Sequence, residues 1–341
     1  MIFSQNSNNC ETAQRLLWLD SLKGILILLV ILGHSIQCVL LEDCNNSHVW
    51  NAIYSFHMAA FVALSGWISY NTKPINFGKS VIRRFNQLLV PYLLWSFIRC
   101  FVSFEHTTIS FINIILRPES YFWFLWVLFW ICVLFSFCRL LSSCLRIDEM
   151  YPILFSCALL FCLMLLFNIR VFGFQLIAYY FIFYTIGYAI RRFSLFNCNN
   201  FILIALIIIW SFLAWSWKMH SLPSWVPSIN HIPVIILQYL YRGLTALIAI
   251  IILLNLSPRW LNKNNKMNTI FSKLGFTSLG IYVVHIFLID FLYRSFLLFN
   301  PTINSTIVII LIFSTALVLS VFLVKLLLKN KYSARLLLGK I

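Results

Sequence analysis

The chain has 341 residues, of which 62% are hydrophobic and only 10% charged, with a mean hydropathy of +0.91. A soluble globular domain is about a quarter charged, so that class is excluded, and 12 Trp, 14 Tyr and 33 Phe exclude a disordered chain. The formal charge of +16 comes from 25 Lys and Arg against 9 Asp and Glu. These cations fall mostly between long apolar runs rather than on a solvated face, so they speak for membrane topology and not for nucleic acid binding.

Ten apolar runs reach or approach the roughly 20 residues that cross a bilayer as a helix. In chain order they are 22–41, 50–70, 87–104, 121–141, 151–167, 172–190, 201–217, 233–254, 274–292 and 303–324. The fold is therefore predicted to be an all-α polytopic integral membrane protein of about ten transmembrane helices. The fifth run is short, and only Asn168 to Arg170 separate it from the sixth. Placing the amino terminus in the cytoplasm puts 19 of the 25 cations on the inside, leaves Arg117, Arg170, Lys218 and Arg294 outside, and holds Arg99 and Arg242 within spans. The positive-inside bias thus predicts both termini in the cytoplasm. The first run is too long for a signal-peptide core and follows a polar, Asn-rich stretch, so it reads as a true span. The expected division is a polar tail over 1–15, a transmembrane domain over 16–325 and a basic tail over 326–341. Six of the ten cysteines lie within spans, and no C-x2-C pair is present, so neither a disulfide framework nor a metal site is predicted.

Ionisable groups inside spans are costly and mark function by default, although some only bind helices together. His34, His57, Arg242 and His285 fall in the middle of their runs and point to a shared polar cavity. Lys23 and His34 are eleven steps apart on the first helix, which returns to within about 20° of one direction over a rise of about 16 Å. That geometry suits a long, thin ligand with an anionic head at the surface and a reactive tip deep inside. The structural alternative is a snorkelling anchor at Lys23 and a packing residue at His34. Asp20, one turn before Lys23, is placed for an i,i+3 pair but lies about 21 Å along the axis from His34. Whatever fixes the His34 tautomer must therefore come from another helix, with Tyr54, Ser65, Tyr282 and His285 as candidates. Lys79, Arg83 and Arg84 form a second basic cluster, suited to phosphate and equally to topology.

With these residues in view the chain resembles the membrane-integral acyltransferase-3 family, in its branch of fucose 4-O-acetylase-like sugar O-acetyltransferases. Lys23 and His34 match the family's Arg/Lys-x10-His pattern, with Asp20 at the acidic position before it. "SFHMAAFVALSGW" supplies His57 and Ser65, "VIRRFNQLLVPYLLW" the basic block with Arg83 and Arg84, and "YFWFLWVLFW" the block around Trp123. "FYTIGYAIRR" follows, and "LGFTSLGIYVVHIFLI" carries Ser278, Tyr282 and His285. The blocks keep the family's order from about residue 15 to 290, whereas Lys stands at 23 where Arg is commoner and no appended hydrolase-like domain is present.

The resemblance implies transfer of an acetyl group from cytoplasmic acetyl-CoA to a sugar hydroxyl of a bacterial envelope glycan (O-antigen, capsule or a lipid-linked precursor) at the inner membrane. It implies acetyl-CoA as acyl donor, no metal, the glycan or lipid-linked sugar and membrane lipid as partners, and other polysaccharide-assembly proteins alongside. In that reading His34 is the catalytic base or accepts the acetyl group itself, while Lys23, Arg83, Arg84 and Asp20 serve the donor phosphates. His57, Ser65, Trp123, Arg242, Ser278, Tyr282 and His285 line the cavity or stabilise charge. The competing readings are a transporter or flippase, for which midplane charges are equally natural, and transfer of another acyl group such as succinyl.

Overall fold

The computed structural model describes residues 17–71, 76–102, 108–167, 169–195, 198–219, 221–226, 233–261, 265–299 and 304–340. The tail 1–15 and the cations Arg15, Lys73 and Lys263 of the topology count lie outside the described residues. Helix α1 (Leu17–Leu40) leads through a short turn into a broken pair, α2 (His48–Tyr54) and α3 (His57–Ser69). Then come α4 (Phe77–Arg84), a π-turn over Phe85–Leu89, α5 (Val90–Val102) and the short α6 (Thr108–Leu116). Four helices follow, α7 (Trp123–Leu145), α8 (Met150–Phe167), α9 (Phe174–Arg192) and α10 (Asn200–Trp215). The chain continues through α11 (Val234–Trp260), α12 (Lys266–Phe276), α13 (Ser278–Phe299), α14 (Ser305–Lys329) and α15 (Lys331–Leu338).

Among the described residues, nine helical segments are long and apolar enough to cross a membrane. The remaining run, 201–217, is α10, apolar but only 16 residues long, which spans about 24 Å of a hydrocarbon core of about 30 Å. It runs antiparallel to α11: Arg259 donates to Asn200 Oδ1 (2.8 Å) at one end, and Tyr241 donates to the Leu213 carbonyl (2.6 Å) at the other. All ten predicted runs therefore find a helix, and the differences are local.

The second run breaks at Ser55 and Phe56, where a helix end leaves unpaired carbonyls in a dry interior. Two side chains satisfy them: Ser55 Oγ donates to the Ala52 carbonyl (2.7 Å) and His57 Nδ1 to that of Ile53 (2.7 Å). The stretch before α13 is a separate helix, α12, locked onto α1. Here Gly24 lies against the Phe271 carbonyl and Gly275 against that of Asp20, so closely that neither position has room for a Cβ. Gly66 of α3 and Gly187 of α9 make the same kind of reciprocal contact. Within the expected basic tail, Lys331–Leu338 form α15. Asn330 caps it by accepting from the Tyr332 N–H (2.8 Å), Gly339 ends it at φ 60°, and the Trp95 indole donates to the Leu337 carbonyl (2.8 Å).

The end of the bundle where α1 starts carries most of the described cations and is here termed the basic face, the other the distal face. Several of its charges are already paired. Arg139 meets Glu149 at 2.8 Å, and Arg192 meets both Asp148 (2.5 Å) and Glu149 (3.0 Å), with the Tyr188 hydroxyl also donating to Glu149. The Asp148 carboxyl is held below its ordinary range by the Met150 backbone N–H, with Arg192 adding to it.

Candidate active site

His34 stands on α1 beside Gly33, whose missing side chain admits the Tyr54 ring; a Cβ there would lie 2.9 Å from Tyr54 Cε2. The Tyr54 hydroxyl donates its single proton to Gln37 Oε1 at 2.7 Å and lies 3.4 Å from His34 Nδ1. With that proton committed, the tyrosine oxygen can accept from Nδ1–H, a pairing that would put the lone pair of the neutral imidazole on Nε2. This is the tautomer a general base requires. The ring centroids of His34 and His285 are 5.3 Å apart, and those of Tyr54 and His57 4.9 Å.

His285 and His57 share the same orientation rule. Each Nδ1 hydrogen-bonds a backbone carbonyl of its own turn, Ile281 at 3.1 Å and Ile53 at 2.7 Å, which leaves Nε2 as the bare nitrogen. His285 Nε2 is buried without a hydrogen-bond partner among the described residues. His57 has a second job, because its bond caps the break between α2 and α3. Tyr282 packs against His285 (5.9 Å) and against Phe124 (5.5 Å), which in turn meets Phe61 (5.9 Å). Three histidines thus gather in an aromatic-walled interior at the junction of α1, α2, α3 and α13.

Arg242 lines a narrow crevice together with Tyr54, Tyr179, Tyr180, Trp217 and Ser55. Its guanidinium sits 5.7 Å from both the Tyr179 and Trp217 rings, and its Nε has no hydrogen-bond partner among the described residues. Tyr54 therefore joins the crevice to His34. Trp123 stacks on Tyr180 at 5.2 Å and so belongs to the same wall. Two expected residues stand apart: Ser65 turns its hydroxyl back to the Phe61 carbonyl (3.0 Å), and Ser278 opens α13 two turns before His285.

Lys23 and Asp20 form the expected i,i+3 pair at 3.7 Å, with the carboxylate buried and the ammonium about a quarter exposed. The neighbours Arg83 and Arg84 diverge, because successive helical residues point about 100° apart. Arg83 is exposed, while Arg84 reaches inward, donating to Gln87 Oε1 (3.2 Å) and acting electrostatically on Cys132 and Tyr184.

Sequence reasoning missed two polar residues here. Gln37 is one turn from His34 on the same helix face, a spacing that points to it directly. Arg99 of α5 acts electrostatically on both His34 and Tyr282; it was read as a span residue without a place in the site, since nothing in the sequence tells which helices α5 faces. Among the described residues no group of three His, Cys, Asp or Glu is placed to hold a metal ion.

Comparison with known proteins gives the family. The Acyltransferase domain family (Acyl_transf_3) matches residues 16–325. A Nodulation protein NolL from Sinorhizobium fredii is 36% identical over 117 residues, which are 31% of this chain and 32% of that protein. A Nodulation protein NolL from Mesorhizobium japonicum is 34% identical over 128 residues, 35% of this chain and 34% of that protein. The similarity thus covers about a third of either relative. No solved structure matches the chain. With the family matched over nearly its whole length, and with nine helical segments among the described residues long and apolar enough to cross a membrane, this chain belongs to the acyltransferase-3 family and is a multi-pass membrane protein.

Proposed function

We propose that the protein moves an acetyl group from acetyl-CoA, bound at the basic and cytoplasmic face, to a sugar hydroxyl of a cell-envelope glycan or lipid-linked precursor. The observation that carries this reading is the placement of His34 beside Tyr54 and His285, eleven residues along α1 from the Asp20–Lys23 pair. Lys23 with the exposed Arg83 would meet the donor phosphates, and the pantetheine arm would follow α1 inward for the ~16 Å between Lys23 and His34.

His34 Nε2 takes the proton from the acceptor hydroxyl as its oxygen bonds to the thioester carbonyl carbon. The resulting oxyanion needs donors or positive charge around it, a role for which Arg99, which acts electrostatically on His34, and Arg242, in the crevice that Tyr54 shares, are the candidates. When the intermediate collapses, the carbon–sulfur bond breaks and the thiolate takes up the proton from His34. Aromatic walls from Tyr180, Trp123 and Trp217 suit a sugar ring, whose apolar face packs against such surfaces. The bacterial inner membrane is the location this chemistry calls for.

The test is purified protein in lipid nanodiscs, given isotope-labelled acetyl-CoA and a lipid-linked oligosaccharide. Label on a sugar hydroxyl supports the reading. Transfer from succinyl-CoA but not from acetyl-CoA would overturn the acetyl assignment, and label arriving on an amine would overturn the acceptor. Label on His34 itself after quenching would replace direct transfer by two half-reactions.

A further inference from the structure

A second cavity lies away from the histidines. It is a groove of about 580 Å³ at the basic face, walled by the start of α1, by α12 and by α14. Its walls are mainly apolar, with Leu17, Ile270, Leu274, Phe276 and Val321, and its cations are Lys273 and Lys325. Both lysines are exposed, and neither has an ion-pair partner among the described residues. The one carboxylate in the wall is Asp20, already paired with Lys23. Two uncompensated ammonium groups therefore rim an apolar slot.

Exposed apolar side chains flank the slot. Ile270 is 53% and Phe276 47% exposed on α12, and Phe322 and Leu326 are exposed beside Val321 and Lys325 on α14. These large apolar side chains are unfavourable in water and acceptable against acyl chains. Lys273 lies in the last turn of α12 and Lys325 one turn before the end of α14, which sets their ammonium groups at headgroup level. A soluble anion would use the lysines and leave the apolar walls unmatched, whereas a phospholipid satisfies both.

We propose that this groove binds one anionic phospholipid of the leaflet at the basic face. Lys273 and Lys325 hold its phosphate, and Leu274, Phe276 and Val321 hold the upper part of an acyl chain. The site adjoins the donor end of the enzyme, because α12 is locked to α1 through Gly24 and Gly275 and Asp20 belongs to both the groove and the Lys23 pair. An occupied groove steadies that turn of α1. The proposal does not depend on which acyl group is transferred or to what acceptor.

The experiment is native mass spectrometry of the full chain released from nanodiscs of phosphatidylcholine and phosphatidylglycerol. The wild-type protein should retain one phosphatidylglycerol in preference to phosphatidylcholine. The double variant Lys273→Ala/Lys325→Ala should bind it roughly 30-fold more weakly, at about 1 kcal/mol for each lysine near the surface. Lys329→Ala/Lys331→Ala removes the same charge outside the groove and should leave retention unchanged. Val321→Trp, which fills the slot without altering charge, should also reduce it. Equal retention of the two lipids, or equal loss in the two double variants, would overturn the proposal. So would displacement of the lipid by soluble coenzyme A, which would make the groove a nucleotide site.

Discussion

An alanine at Gly66 puts the packing of α3 on α9 to a direct test. Its Cβ would lie 1.9 Å from the Tyr184 carbonyl oxygen, and at Gly187 the equivalent Cβ would lie 1.9 Å from the Ala63 carbonyl oxygen. Ordinary contact begins near 3.4 Å, so the helices must part by about 1.5 Å, and a gap of even 0.5–1 Å forfeits a quarter to a half of each dispersion contact. The obstructing atoms are backbone and have no flexible end to swing aside. Gly66→Ala should therefore fall at the upper end of the overpacking range, about 3 kcal/mol. The control is Gly243→Ala, next to Arg242, where a Cβ meets nothing within 4 Å; removing a helical glycine there should be neutral or favourable by about 0.5–1 kcal/mol. Thermal midpoints of the three proteins in one detergent read the difference. If Gly66→Ala melts with the wild type, or if Gly243→Ala falls as far, the close approach of α3 and α9 is not real. Because α3 carries His57 and α9 carries Tyr180, transferase activity should fall with the midpoint.

Tyr54→Phe removes the hydroxyl between His34 and Gln37; a contact of 3.4 Å is a weak one, and the loss of about 1 kcal/mol should lower kcat roughly fivefold with KM for the donor unchanged, as steady-state kinetics can show. Lys23→Ala should raise the donor KM with little change in kcat, whereas Lys23→Arg keeps the charge and should be nearly neutral; equal losses from both would argue against phosphate binding. Asp148 is held deprotonated below its ordinary range, so its contribution to stability is present above the unfolded carboxyl pKa and lost as pH falls through the folded one. Melting curves of Asp148→Asn and wild type should therefore converge on acidification, and a gap that stays constant with pH would exclude the linkage.

The spans were legible because each is a continuous apolar run, and a bilayer leaves backbone groups only the helix as a partner. The break before α3 was not: Tyr54, Ser55 and Phe56 contain neither proline nor glycine, and what makes the break tolerable is the side-chain capping by His57 and Ser55. α15 did carry readable signals, Asn330 at its start and Gly339 at its end, but its docking depends on Trp95, 242 residues away in sequence from Leu337. Within the site, the Asp20–Lys23 pair followed from helical geometry alone. The separation of Arg83 from Arg84 was equally readable from the 100° step. The selection of Tyr54 among four candidates was not, because it depends on which helix lies against Gly33. Arg99 was visible as a charge within a span, but its neighbours, like the groove of Lys273 and Lys325, are set by tertiary packing.

The most direct test of the account is His34→Ala in purified, reconstituted protein, with labelled acetyl transfer and the melting midpoint measured on the same preparation. The account predicts that transfer falls by roughly 10²–10⁴-fold, as expected for loss of a general base, while the midpoint and lipid insertion stay at wild-type values. Transfer within tenfold of wild type by a folded variant would contradict it.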